Sequence, residues 1–192
     1  MKAMWIGLVL AGAMSAGAMG RPIYILPLGD SITQGGKTDR PEYTYRYPLY
    51  GMLKAAGYEF DFIGSQTRGL QPGAKWPEPF DPDHEGHYGW KTASVRDKLP
   101  EWMPKWAAPP DIALIHLGTN DQKADDHTRA IIEPLQDIIA RLRERNPRVV
   151  VLVAHLNFNG GAPLKIRPLV EQMVRKISTP QSPVVTVPMY ED

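Results

Sequence analysis

Apolar runs of strand length alternating with amphipathic stretches constrain this chain more than any other feature. Ile23 to Leu28, Tyr58 to Ile63, Ile112 to Leu117, Val149 to Ala154 and Val184 to Val187 each have the length of a strand. The second alternates loosely, with Phe60 and Phe62 on one side. Between them lie helical stripes. Tyr45, Leu49, Met52, Leu53 and Ala56 share one face and stop at Gly57, with Pro48 tolerable only near the first turn. Ile131, Ile132, Leu135, Ile138, Ile139 and Leu142 form a second stripe, which Asp126 or Thr128 can cap. Arg141, Arg143, Arg145 and Arg148 follow it and complement the helix dipole. Ile166, Leu169, Val170, Met173, Val174 and Ile177 form a third. Repeated strand–helix units predict an α/β fold, a parallel sheet between layers of helices. In such sheets ligands bind beyond the carboxyl ends of the strands.

Composition narrows the function classes. None of the 192 residues is Cys, which excludes disulfide scaffolds, zinc ribbons and thiol nucleophiles. The formal net charge of +1 gives no nucleic-acid footprint. Lys2 followed by the apolar run Met4 to Met14 and small residues has the layout of a secretory signal peptide. Cleavage after Ala18 or Gly20 suits that layout, and an uncleaved anchor is the alternative. The reading is therefore a signal peptide at 1–20, one domain over 21–192, and a secreted or periplasmic monomer.

Chemistry-bearing residues follow the first and third strands. Gly29-Asp30-Ser31-Ile32-Thr33 puts a serine at a strand-to-helix junction, where its hydroxyl can be exposed and its N–H can face an anion. The same string also reads as a capped turn. Gly118-Thr119-Asn120-Asp121 offers an amide donor for an oxyanion, or an Asx turn. Gly69 to Trp90 is a long loop rich in Gly, Pro, Asp and His, a class that is commonly functional. It closes on Glu85-Gly86-His87-Tyr88-Gly89-Trp90, where Gly89 lets a backbone N–H approach a ligand. His84 and His87 with Asp81, Asp83 and Glu85 invite a metal, yet their spacing is one residue short of a helical zinc pair. The reading favours a substrate-facing loop with no metal and no cofactor.

Taken together and in this order, these blocks resemble the SGNH (GDSL-type) hydrolases. The strings Leu28-Gly-Asp-Ser-Ile-Thr, Asp61-Phe-Ile-Gly-Ser and Glu85-Gly-His-Tyr-Gly-Trp look more narrowly like family 3 carbohydrate esterases. The resemblance implies a three-layer, flavodoxin-like sheet and hydrolysis of an ester, typically acetyl on a plant polysaccharide such as xylan. It implies Ser31 as nucleophile and the N–H groups of Ser31 and Gly89, with the Asn120 side chain, as oxyanion donors. Asp30, His87 and Trp90 are expected to line the substrate. The partner is then an acetylated carbohydrate or small ester, not nucleic acid or, after signal cleavage, membrane. The family takes its base from an Asp-x-x-His block after the fifth strand, and that block is absent before Asp192. Two expectations follow: impaired activity, and a thinly covered sheet face near that strand. His116 reads as a core histidine with a satisfied nitrogen, His155 as the best substitute base, and His127 as a surface residue. Two alternatives stay open: a broader lipid or thioester acylhydrolase, and a non-catalytic remnant whose Trp76, Phe80, Tyr88 and Trp90 stack on sugars.

Overall fold

The computed structural model describes residues 20–37, 44–71, 76, 78–157 and 160–189. The expected signal segment lies almost wholly outside the described residues. Strands are β1 (Ile23–Gly29), β2 (Phe60–Phe62), β3 (Glu85–Gly86), β4 (Ile112–His116), β5 (Val150–Ala154) and β6 (Val184–Val187). Helices are α1 (Ser31–Gln34), α2 (Arg46–Ala55), α3 (Thr92–Trp102), α4 (Glu133–Arg145) and α5 (Ala162–Ile177). A π-helical turn over Thr128–Ile132 leads into α4, and the Asp126 side chain accepts from Arg129 N.

All strand pairs are parallel, in the order β2-β1-β4-β5-β6, with short β3 paired to β1. The chain steps one way from β1 to β2 and the other way from β4 onward. The order therefore reverses at β1 and β4, and this switch point opens a crevice at their carboxyl ends. Ser31 follows β1 and Asn120 lies just beyond β4, so both motif residues emerge there.

Strand alternation divides the core in two. Leu26, Leu28, Ala113, Ile115, Val151 and Val153 face α3, α4 and α5. Ile25, Ile112 and Val150, with Phe60 and Phe62, face Leu53 of α2 and Phe80. Among the described residues, α3, α4 and α5 cover one face and α2 the other. Among the described residues, the uncovered part is an apolar groove of about 280 Å³ lined by Leu49, Met52, Leu114, Leu152, Val187 and Met189.

Two features depart from the sequence reading. Helix α3 falls where no element is expected, because Pro100 and Pro104 interrupt its pattern. Its Val95, Leu99 and Trp102 are nevertheless buried. The long loop also contains β3, and Gln66 and His84 pair across its base. Arg143 does more than complement a dipole. It donates to Ser182 Oγ at 3.0 Å, Ser182 O at 2.8 Å and Ile177 O at 2.9 Å, fixing the turn before β6.

Candidate active site

The serine turn is held from both ends. Asp30 Oδ1 accepts from Ile32 N at 3.0 Å, and Asp30 O accepts from Gln34 N at 2.9 Å. A Cβ on Gly29 would overlap Thr33 Oγ1 and lie 2.6 Å from His116 O, so glycine is required for this approach. At the other end Arg46, fully buried, donates to Thr33 O at 2.9 Å, Gln34 O at 3.3 Å and Pro82 O at 2.8 Å. Its guanidinium sits 5.1 Å from the Trp76 ring and 5.5 Å from Phe80. Burial pulls its pKa down to about 10, which leaves it charged at neutral pH. Burial likewise pushes Tyr45 up to about 12, so its hydroxyl, 3.2 Å from Thr33 Oγ1, stays neutral. Ser31 is partly exposed, and its Oγ has no hydrogen-bond partner among the described residues.

The glycine loop docks on this turn. His87 N donates to Gly29 O at 3.0 Å and Tyr88 N to Gln34 Oε1 at 2.7 Å. Trp90 N donates back to His87 O at 3.2 Å, closing a tight turn in which Gly89 has φ +78°. That conformation favours glycine, and the space above it is open. Beneath lies Glu85, fully buried with four donors converging on its carboxylate. These are Ser65 N (2.9 Å), Ser65 Oγ (2.7 Å), His87 Nε2 (2.7 Å) and Trp106 Nε1 (2.6 Å). The His87 ring stacks on Trp102 with centroids 3.8 Å apart.

The third block joins the same assembly. Asn120 Nδ2 donates to Trp90 O at 2.9 Å, leaving the second amide proton for another acceptor. Asp121 Oδ2 accepts from Thr92 N at 3.0 Å and Thr92 Oγ1 at 2.9 Å, which ties the block to the start of α3. The backbone N–H groups of Ser31 and Gly89 have no acceptor among the described residues.

Some expectations need correction. Asp30 is fully buried and caps the serine turn, so it lies under the site and cannot line a substrate. His87 is 9% exposed and anchored to Glu85, which makes it chiefly a loop anchor. Trp90 is half-buried and gives its carbonyl to Asn120. His116 is buried as expected, yet neither ring nitrogen has a hydrogen-bond partner among the described residues. His84 accepts from Gly86 N through Nδ1 at 2.9 Å, while its Nε2 lies 3.1 Å from Arg68 O. Both its nitrogens are therefore occupied. No histidine hydrogen-bonds to Ser31 among the described residues: His155 Nε2 is 3.7 Å from Glu171 Oε1, and His127 Nε2 3.2 Å from Gln122 O. Sequence reasoning missed Arg46, Gln34 and Thr92. Their work is to hold backbone and carboxylate groups across the fold, which leaves no local pattern.

A model of the GDSL-like lipase/acylhydrolase family matches residues 28–185, from the end of β1 into β6. The chain belongs to this family. Solved structures agree with it. A family 3 carbohydrate esterase from Talaromyces cellulolyticus is 29% identical with a TM-score of 0.73, over 86% of this chain and 79% of that one. An acetyl esterase serine-to-alanine mutant with acetate ion is 28% identical at TM-score 0.73, with the same coverage of 86% and 79%. A Clostridium thermocellum family 3 carbohydrate esterase is 27% identical at TM-score 0.68, over 88% and 78%. A search of the curated proteins found no match. Membership makes this chain one of the esterases and acylhydrolases, and its three-layer flavodoxin-like sheet is theirs. No helix among the described residues is long and apolar enough to cross a membrane.

Proposed function

We propose that this chain is an exported serine esterase that removes acetyl groups from carbohydrate, with Ser31 as nucleophile. One observation carries the reading. Hydrogen bonds gather three separate turns at the switch point while leaving the Ser31 hydroxyl, the Ser31 and Gly89 N–H groups and one Asn120 amide proton unused. Similarity to an acetyl esterase and to family 3 carbohydrate esterases supports acetyl as the group transferred.

Ser31 Oγ attacks the acetyl carbonyl and forms the new C–O bond. The carbonyl oxygen takes the negative charge and accepts from the three donors, each typically worth a few kcal/mol of transition-state stabilisation. Collapse expels the sugar oxygen, which leaves as the alcohol with the serine proton. Water then hydrolyses acetyl-Ser31 to acetate. A base must carry those protons, and no histidine among the described residues hydrogen-bonds to Ser31. Export rests on residues 1–20 as a cleaved signal peptide, which the mass of the mature N-terminus tests.

Acetate release from acetylated xylan, and hydrolysis of aryl acetates against aryl octanoates, test the substrate class. The expected result is an acetate-selective rate that disappears in Ser31→Ala and drops at least about tenfold in Asn120→Ala. Preference for the octanoate would move the substrate class to lipid esters. An unchanged rate in Ser31→Ala would remove the serine mechanism.

A further inference from the structure

Buried polar atoms without partners cluster directly beneath the serine turn. Asp30 Oδ2, Thr119 Oγ1 and both ring nitrogens of His116 are sealed from solvent and complete no hydrogen bond among the described residues. Asp30 is 0% and His116 2% exposed. His116 Nδ1 stands 4.0 Å from Asp30 Oδ1, and the Thr119 hydroxyl faces the same carboxylate. Each orphaned group costs about 1–3 kcal/mol, so a native chain keeps such a cluster only with a use for it.

The inventory is complementary. A carboxylate offers acceptor positions, and a neutral imidazole and a hydroxyl each offer one donor. Closing the His116–Asp30 gap to hydrogen-bond length takes a movement of about 1 Å. Gly29 and His116 are partners in the β1–β4 register, so the ring sits at the switch point. Asp30 precedes Ser31 and caps its turn, while Thr119 precedes Asn120.

We infer that Asp30, His116 and Thr119 form a buried tie that locks the serine turn to the asparagine turn, with His116 a positioning residue that donates through Nδ1 to Asp30. The tie rests on the proposed function for its purpose, since it fixes the spacing between the Ser31 N–H and the Asn120 amide. Misplacement of such groups by about 1 Å can cost on the order of a hundredfold in rate. Burial favours neutral His116, which leaves one ring nitrogen protonated as the donor. Burial, and to a lesser degree the Asp121 carboxylate, push the Asp30 pKa up, while His116, the Ile32 N–H and the Thr119 hydroxyl act against that rise.

The test uses the isotope-labelled full chain in nuclear magnetic resonance. The expected result is a His116 Nδ1 proton protected from exchange with water, whose shift changes in Asp30→Asn. In His116→Leu the Ser31 and Ile32 amides and the Asn120 side-chain amide all move. In His116→Asn, which keeps a donor near Nδ1, they stay close to wild type. A His116 proton that exchanges as fast as that of free imidazole overturns the tie. So does a folded His116→Leu chain with an unmoved Asn120 amide. On an aryl acetate, kcat should fall about tenfold in His116→Leu, with KM within about twofold and most of the loss restored in His116→Asn. Equal losses in both variants would make His116 a packing residue and overturn its role. Ser31→Ala is measured alongside. If it retains full activity, the serine-esterase reading fails while the proton and amide signals still decide the tie.

Discussion

Replacing Glu85 separates its role as an acceptor hub from mere packing. Four donors meet its two oxygens: Oε1 accepts from Ser65 Oγ and His87 Nε2, and Oε2 from Ser65 N and Trp106 Nε1. In Glu85→Met, similar in length, all four lose their acceptor. The Ser65 hydroxyl can turn elsewhere, but the backbone N–H and the indole N–H are fixed and buried. At about 1–3 kcal/mol for each stranded donor, the loss comes to about 3–5 kcal/mol. Total stability for a domain is about 5–15 kcal/mol, so this variant approaches the threshold of folding. Glu85→Gln should behave differently. With its carbonyl oxygen toward Ser65 N and Trp106, its amide meets the two partners that can adapt. The Ser65 hydroxyl rotates to accept, and His87 changes tautomer to present a lone pair at Nε2. The expected cost is about 1–2 kcal/mol, mainly the lost charge assistance. Urea unfolding followed by circular dichroism measures both variants. Equal losses, or a Glu85→Met chain within about 1 kcal/mol of wild type, would refute the hub.

Other outcomes follow from the same structure. Arg46→Lys should lose about 2 kcal/mol or more in thermal melts, because a single ammonium cannot span the carbonyls of Thr33, Gln34 and Pro82. Burial, then Asp81 and Asp61, push the Asp83 carboxyl up to about 6. Its folded pKa thus lies above its unfolded value, so the native state binds the extra proton between about pH 4 and 6 and stability falls as pH rises through that window. Asp83→Asn should therefore melt higher than wild type at pH 7 and match it near pH 4. In the covered core, Ile139→Ala should cost about 2–5 kcal/mol by urea unfolding. Leu152→Ala, in the open groove, should cost well under that because its side chain already meets solvent.

The sheet was legible because strand alternation and helical stripes are local signals. The runs at Ile112, Val149 and Val184 became β4, β5 and β6 with small changes at their ends. Helix α3 was not legible, since its prolines break the pattern while burial against α4 sustains it. Within the site, Ser31, Gly89 and Asn120 are picked out by the resemblance of their blocks to the SGNH hydrolases, since turn chemistry alone reads equally as a cap or an Asx turn. The supports are not. Glu85 reads in sequence as one more loop acid, and only folding brings Ser65 and Trp106 to it. Asp30 is a related case, because a motif shows which residues matter but not which way a carboxylate points. Here it points inward, as a cap.

Trapping the acyl-enzyme tests the central claim most directly. The full chain is incubated with an aryl acetate, quenched in acid and mapped by peptide mass spectrometry. An aryl oxide leaves without needing a proton, whereas the water that attacks acetyl-Ser31 must lose one, so acylation should outrun deacylation and one acetyl group should accumulate on the peptide containing Ser31. It should be absent in Ser31→Ala and reduced in Asn120→Ala. Acetate release that proceeds undiminished in Ser31→Ala, with the label elsewhere or nowhere, would contradict the account.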